Sequence, residues 1–312
     1  MGTVGPVTVV SLPDQDWVDA VGEVPGIDAV PWDLRSEPAR PDQIELVVPS
    51  YLGPPELLAR LAGLPSLRAV QLLTAGYETA QPYLPQGVQL ANAAGVHDAS
   101  TAELAVTLML ASLRGIPDFV RGQERSHWGS RALGPSLADR RVLLVGYGGI
   151  GQAVARRLQG FEVAICAVAS SPRDGDHLVQ RVHGIDELGD LLPDHDVVVL
   201  AVPLTDATKG MVDGPFLAAM KHGALLVNVS RGKVVDTDAL VRAAAEGRVA
   251  AALDVTDPEP LPPGHPLWTT PGVLVSPHVG GATSAFRPRA LALLRDQLRA
   301  FGAGEPLRNI VT

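Results

Sequence analysis

Val142-Leu-Leu-Val-Gly146-Tyr-Gly148-Gly-Ile-Gly151-Gln-Ala-Val-Ala-Arg156 is the stretch on which the reading of this chain turns. Its first four residues form an apolar run too short for a helix, the mark of a buried strand. The run stops at Gly146, and a helical pattern begins at Gln152. Between them stands G-x-G-x-x-G, in which each glycine has its own reason. Gly146 permits a tight turn, Gly148 lets a pyrophosphate approach the backbone, and Gly151 lets the helix sit close on the strand. With Gly149 and Ile150, the loop leads into a helix N-terminus that offers N–H groups and a positive dipole end to phosphates. Glycine-rich turns are common; one that joins a strand to a helix is the context a dinucleotide fingerprint requires.

The next strand outward bears on which dinucleotide. It runs to Val168 and is followed by Ala169-Ser170-Ser171-Pro172-Arg173. An acidic residue about twenty positions past the glycines would bind the adenosine ribose hydroxyls of NAD. Ala169 takes that place. No carboxylate repels a 2′-phosphate there, and Ser170, Ser171 and Arg173 can donate to one, so the pattern favours NADP(H) over NAD(H). The competing reading makes Arg173-Asp174-Gly175 a solvated turn in a protein that accepts either cofactor.

On both sides of this centre, strands alternate with helices, which argues for parallel sheets covered by helices. Before it, strands are expected at Thr8–Leu12, Ile27–Val30, Leu46–Val48, Ala69–Leu73 and Val88–Asn92. Helices are expected at Asp16–Val21 and, opened by Pro54-Pro55, up to Leu64. That first unit has no phosphate loop at its first turn. Ser100 to Arg114 reads as a long helix, apolar almost all round and therefore buried, with Ser100-Thr-Ala-Glu103 as a capping box. Arg121 to Arg131, with Trp128, reads as a polar loop. After the glycines, strands are expected near Val163–Val168, Val197–Val202, Leu225–Val229, Ala250–Leu253 and Val273–Val275. Helices are expected at Pro215–Lys221 and Thr237–Glu246, and a last one between Ser284 and Arg299.

Composition removes several function classes. A chain of 312 residues suggests two domains, and 46% hydrophobic residues suffice for real cores. A net charge of −9 argues against nucleic acid, whose binding rests on Lys and Arg. One cysteine, Cys166, allows no intrachain disulfide and reads as a small core residue. No signal peptide and no membrane span are read in the sequence, so a soluble cytoplasmic protein is expected. No metal cluster is expected.

Three polar sites follow the glycine loop, each just after an expected strand, where ligands of open α/β sheets bind. In Val227-Asn-Val-Ser-Arg231-Gly, an arginine leaves a buried strand into a glycine turn and can hold a carboxylate bidentately. Leu253-Asp254-Val-Thr-Asp-Pro-Glu259-Pro260, taken alone, is a solvated acidic loop. In Val275-Ser-Pro-His278-Val-Gly-Gly281, Pro277 and two glycines fix a histidine, the usual general acid and base near neutral pH.

Together these segments resemble the D-isomer-specific 2-hydroxyacid dehydrogenase family over almost the whole chain. The resemblance rests on Gly146–Gly151, Pro203-Leu-Thr205-x-x-Thr208, Asn228-x-Ser-Arg231-Gly, Asp254 with Glu259-Pro260, and Ser276-Pro-His278-x-Gly-Gly. Asn92-Ala-x-Gly95 with Ala102-Glu103 also looks like that family's interdomain stretch. Within the resemblance, Glu259 changes from a solvated loop residue to a functional one.

The resemblance implies two doubly wound parallel-sheet domains. A Rossmann cofactor domain, 98–284, would be inserted into a smaller flavodoxin-like substrate domain, 1–97 plus 285–312, with the catalytic cleft between them. The helix after Asp98 would serve a homodimer. It implies Arg231, Glu259 and His278 as catalytic residues. His278, paired with Glu259, would protonate the keto oxygen, and Arg231 would hold the substrate carboxylate. The Thr74-Ala75-Gly76-Tyr77 turn would bind the other carboxylate oxygen. Val202, Pro203, Thr205, Thr208 and Asp254 would lie along the cofactor. The expected activity is reduction of a small 2-keto acid such as glyoxylate or hydroxypyruvate. Phosphoglycerate or phosphite dehydrogenation, or a dinucleotide-sensing corepressor-like protein, are the alternatives. The glutamate at 259 argues against formate dehydrogenases, which have Gln there. Tyr51, Leu52, Tyr77 and, across a dimer, Trp128 are candidates to shape the substrate pocket.

Overall fold

The computed structural model describes residues 7–129 and 134–311. The chain divides into two compact units, Met1–His97 with Ser284–Thr312, and Asp98–Thr283. Each is an α/β unit built on a parallel sheet.

The first unit holds β1 (Thr8–Leu12), α1 (Gln15–Val21), β2 (Ile27–Pro31), β3 (Ile44–Val47), β4 (Ala69–Gln71) and β5 (Gln89–Ala91). The strands are parallel in the order β2-β1-β3-β4-β5. Val10 and Leu46 pack toward one face of the sheet, Val9, Ile44 and Val47 toward the other; the β1–β3 register shifts between Val9 and Val10, so Ile44 and Leu46, two residues apart, serve opposite faces. The Pro54-Pro55 helix is a 3-10 helix, Pro55–Gly63, whose Leu58 and Leu61 cover the second face. The first face is covered by α1 and by the last helix of the chain, Phe286–Gly302, through Ala290, Leu294, Leu298 and Phe301. That late helix is fastened by a buried polar latch. Gln297 donates to Gln71 Oε1 (2.6 Å) and to Arg308 O (2.9 Å), and Gln71 donates to Leu72 O and Asn92 O. Buried amides left unpaired would be costly; these are paired.

The second unit begins with α2 (Asp98–Leu113) and α3 (Ile116–Glu124). It continues with β6 (Arg141–Val145), α4 (Gly149–Leu158), β7 (Ala164–Ala169), β8 (Arg173–Asp174), β9 (Arg181–Gly184), α5 (Leu188–Leu191) and β10 (Val197–Leu200). Then follow α6 (Gly214–Ala219), β11 (Ala224–Asn228), α7 (Thr237–Ala245), β12 (Val249–Leu253) and β13 (Val273–Val275); the helix Phe286–Gly302 is α8. The sheet order is β13-β12-β11-β10-β6-β7-β9-β8, parallel except for β8. The order runs outward in both directions from β6 and β10, so the fold is doubly wound and its switch point lies where the glycine stretch ends β6. Val142 and Leu144 enter one core cluster, Leu143 and Val145 the other. Burial on both faces explains why this strand is apolar without alternation.

Several local expectations are corrected. The long helix starts at Asp98, not Ser100, and the Ser100 hydroxyl pairs with that of Thr283 at 2.7 Å, so Ser100 does not cap the helix. Four residues of the expected loop, Arg121 to Glu124, are helical in α3, and Arg131 lies outside the described residues. The segment after Ser171 is not an open turn. Arg173 and Asp174 form a short antiparallel strand on β9. No single helix among the described residues is long and apolar enough to cross a membrane; α2 and α3 satisfy length and composition only as a pair bent by 67°.

Candidate active site

The glycine loop shows why its glycines are needed. Gly146 has φ +102°, and a Cβ there would collide with Ala201 O, just past β10. A Cβ at Gly151 would strike Gly146 O, so α4 lies against its own strand. Gly148 is different: nothing stands within 4 Å of where its Cβ would be. It is the N-cap of α4 in extended conformation, and no side-chain hydrogen bond caps that helix. This is room and unspent N–H capacity at a helix N-terminus, the features that suit a pyrophosphate. Gly149 has a further reason that the motif does not state: the Asp98 carboxylate fills its Cβ position. Ile150 follows half-buried on α4.

Around the adenosine end, β7 ends at Ala169, and Ser170 and Ser171 are exposed. Arg173 Nη2 donates to Tyr147 O at 2.8 Å, which brings its guanidinium to the glycine loop. The Tyr147 hydroxyl donates to Asp176. Burial, then the hydrogen bond and charge of Asp176, push the phenol up to about 12, so it stays a donor. Val202 and Pro203 leave β10 beside Gly146. Thr208 is spent locally: its hydroxyl donates to Pro203 O (2.6 Å) and accepts from Thr205 N (2.8 Å), closing the 203–208 turn.

The residues at the ends of β11, β12 and β13 meet. Asn228 ends β11 fully buried; its side chain accepts from Ser230 N and Oγ and donates to Arg231 O at 3.1 Å. That fold-back sets the turn presenting Arg231, whose Nη1 donates to Ser230 O. A Cβ at Gly232 would strike Thr256 O, so the Arg231 turn rests directly on the loop that carries Glu259. The Glu259 carboxylate accepts a hydrogen bond from His278 Nδ1. His278 has φ +52°, a conformation strained for a non-glycine residue, and its N–H donates to Asp254 O (2.8 Å). Asp254, 3% exposed, accepts from Ser276 Oγ (2.7 Å), Val279 N (2.9 Å) and Gly280 N (2.9 Å). The family resemblance puts it along the cofactor; its visible work is to hold the His278 loop.

In the first unit, the Thr74–Tyr77 turn is held from behind by its carbonyls. Asn92 Nδ2 donates to Ala75 O (2.6 Å), Thr74 Oγ1 to Gly76 O (2.7 Å) and Ala93 N to Thr74 O. The Ala75 and Gly76 N–H groups have no acceptor among the described residues. A cavity of about 280 Å³ in the same unit is lined by Thr74, Ser50 and Leu52 among others. Tyr51 packs in a three-ring cluster with His97 and Phe286, each pair stacked. No group of three or more His, Cys, Asp or Glu residues able to hold a metal occurs among the described residues.

Comparison with known proteins identifies the family. Residues 106–280, more than half the chain, match the model of the D-isomer specific 2-hydroxyacid dehydrogenase NAD binding domain. The chain belongs to the D-isomer specific 2-hydroxyacid dehydrogenase family. A glyoxylate reductase/hydroxypyruvate reductase of Mus musculus is 34% identical over 250 residues, 78% of this chain and 76% of that protein. A D-isomer specific 2-hydroxyacid dehydrogenase of Xanthobacter autotrophicus Py2, solved with NADPH and MES, superposes with TM-score 0.84 at 29% identity, over 99% of this chain and 98% of that one. An NADPH-dependent glyoxylate/hydroxypyruvate reductase of Sinorhizobium meliloti, solved with NADP and malonate, gives 0.77 at 28% identity, over 98% and 97%.

In this 2-hydroxyacid dehydrogenase the charged groups set one another's protonation. The hydrogen bond to Glu259 raises the pKa of His278 against burial, and the charges of Glu259 and Asp254 add to it. Burial acts to raise Glu259, but the imidazole, the Thr256 N–H and Arg231 outweigh it and hold the carboxyl below its ordinary value. Both shifts favour the charged forms, a carboxylate facing an imidazolium. Sequence reasoning gave no part to the side chains of Tyr147, Asp176 and Asp98, which the structure places at the glycine loop or on its contacts. Asp176 precedes Leu178 and Val179, whose N–H groups it accepts, the local pattern of an Asx turn that a closer reading of Asp-x-x segments finds.

Proposed function

We propose that this protein reduces a small 2-keto acid of the glyoxylate or hydroxypyruvate type to the D-2-hydroxy acid, with NADP(H) favoured. The observation that carries the reading is the His278–Glu259 pair standing on the Arg231 turn, in the unit that carries the glycine loop. With Nδ1 engaged by the carboxylate, Nε2 of His278 is the atom that gives its proton to the keto oxygen. Arg231 holds the substrate carboxylate and polarises the carbonyl beside it. Ala75 and Gly76 offer N–H groups to the carboxylate's second oxygen. Glu259 keeps the imidazole charged until the proton is delivered.

Gly146, Gly148, Gly149, Ile150 and Gly151 are the residues that would hold the dinucleotide phosphates. Val202, Pro203, Thr208 and Asp254 line the way toward its nicotinamide end, and Ser170, Ser171 and Arg173 take the 2′-phosphate. When bound, the reduced nicotinamide supplies the hydride for the carbonyl carbon. The NADP(H) preference draws support from the absence of a carboxylate at Ala169 and from the Arg173 guanidinium beside the glycine loop. An NADPH complex of one related dehydrogenase and an NADP complex of another, NADPH-dependent one point the same way.

We read the assembly as a homodimer through the cofactor unit, supported by the apolar side chains exposed on and after α3: Ile116, Phe119, Val120 and Trp128. We place it in the cytoplasm, its lone Cys166 half-buried in β7.

The test follows nicotinamide absorbance with NADPH and NADH separately against glyoxylate, hydroxypyruvate, pyruvate and phenylpyruvate. Turnover with a lower KM for NADPH is expected. Turnover favouring NADH would remove the 2′-phosphate site and leave the reductase; no turnover with any acid would overturn the reaction itself.

A further inference from the structure

Tyr147 occupies the x of the first G-x-G and is only 3% exposed. It is gripped at two points. Its carbonyl accepts from Arg173 Nη2 at 2.8 Å, and its hydroxyl donates to both oxygens of Asp176 at 3.0 and 3.1 Å. Asp176 closes the connection between β8 and β9. Its Oδ1 also accepts from Leu178 N (2.8 Å) and Val179 N (3.1 Å), and its own N–H donates to Val179 O (2.9 Å). Gly175 beside it has no room for a Cβ, which would strike Val179 O and Gln180. The connection is therefore a closed loop seated on one phenol.

This seating matters because β8 has little else to hold it. Both of its residues are exposed, and its ladder to β9 spans only two positions. A two-residue strand with no buried side chain contributes little packing energy, so a hydrogen bond to a buried phenol is a large share of its anchorage. Asp176 is also kept from competing: three donors engage its carboxylate, and Arg173 turns to the Tyr147 carbonyl instead of pairing with it. One N–H of the guanidinium is spent on fixing its place, and the remaining donors of the fork serve a ligand.

We propose that Tyr147 and Asp176 are positioning residues for cofactor selectivity, seating the β8–β9 hairpin so that Arg173 is fixed beside the glycine loop to receive an adenosine 2′-phosphate. The inference rests on the NADP(H) reading above and adds to it the part of the fold that enforces it. The effect of the two residues passes through Arg173.

The experiment is isothermal titration of NADP⁺, NAD⁺, 2′,5′-ADP and 5′-ADP into the protein and its Tyr147→Phe, Asp176→Ala and Arg173→Ala variants, with thermal unfolding beside it. Loss of one charge-linked hydrogen bond is expected to weaken NADP⁺ and 2′,5′-ADP about tenfold in Tyr147→Phe and Asp176→Ala. NAD⁺ and 5′-ADP should change less than about twofold, because the glycine loop that binds their shared phosphates is untouched. Arg173→Ala should show the same selective loss, and adding Tyr147→Phe to it should cost little more. Equal losses for phosphorylated and unphosphorylated ligands, or no loss in either variant, would overturn the proposal while leaving NADP(H) preference standing. Wild-type protein that binds NAD⁺ as tightly as NADP⁺ would instead overturn the cofactor reading and this inference with it. Should Tyr147→Phe unfold, Asp176→Ala carries the test, since it removes the same bond from the exposed side.

Discussion

The two units are built alike and treat their first helix in opposite ways. In each, a buried parallel strand leads through a short turn into a helix: β1 into α1, β6 into α4. At α1 the N-cap is Asp14, whose carboxylate accepts from Trp17 N at 3.0 Å, so the helix end is satisfied by its own chain. At α4 the N-cap is Gly148, which brings no side chain, and open space lies over it. A helix N-terminus that caps itself has used its affinity for anions on stability; one left uncapped keeps it for a ligand. The strand ends differ in the same sense. Beyond β11, β12 and β13 the polar side chains of Arg231, Glu259 and His278 gather, whereas the ends of β2 and β3 lead to Leu34 and Leu52, both with positive φ. One fold class thus yields a chemical unit and a largely structural one.

The largest expected effect comes from emptying the chemical unit. His278→Ala should lower kcat by about 10²–10⁴-fold, the usual worth of a general acid, with NADP⁺ affinity by titration nearly unchanged. Retained turnover would move proton donation elsewhere. Next, Gly148→Asp gives α4 the cap that α1 has. Gly148 is extended and uncrowded, so the fold should tolerate the change and the helix gain only about a few tenths of a kcal/mol, read as an unchanged or slightly raised Tm. Dinucleotide affinity should fall by at least about a hundredfold as a carboxylate meets the pyrophosphate. Unaltered affinity would break the comparison between the two helix ends.

The pH profile sharpens it further. The pKa of His278 is raised above its ordinary value by Glu259, so the imidazolium that the proposed reduction uses persists to higher pH than in an unpaired histidine and is lost as pH rises through that raised value. Glu259→Gln removes the charge. The alkaline fall in kcat/KM for keto acid reduction should then move to lower pH, and a limb that stays in place would assign it to another group. The smallest effect belongs to the structural unit. Asp14→Ala should cost about 1 kcal/mol, seen as a Tm lower by a few degrees, with cofactor affinity unaltered.

How much of the molecule is legible in its sequence can be seen from single elements. β6 and its glycines are fully readable, because a strand buried on both faces must be apolar and a close turn must be glycine. Arg231 and His278 are visible as polar residues fixed by glycine and proline at strand ends. Glu259 is not: read alone it is an acidic residue in a proline-rich loop, and only the nearness of His278 gives it a partner. The start of α2 reads two residues late because Ser100 looks like a cap, while its hydroxyl is taken by Thr283, distant in sequence. The hairpin of β8 and β9 carries no periodic signal, being two exposed residues paired with a strand of four.

By itself, then, the amino-acid order determined the parallel α/β class, the phosphate loop and the residue types available for chemistry, since these depend on local periodicity and on what glycine alone permits. Tertiary structure decided which of those residues work together. The Glu259–His278 pair, the Asp254 carboxylate that holds the histidine loop and the Tyr147–Asp176 anchor under Arg173 each join segments 19 to 29 residues apart. Such pairings follow from strand order and the docking of loops on the sheet, which no short-range pattern records.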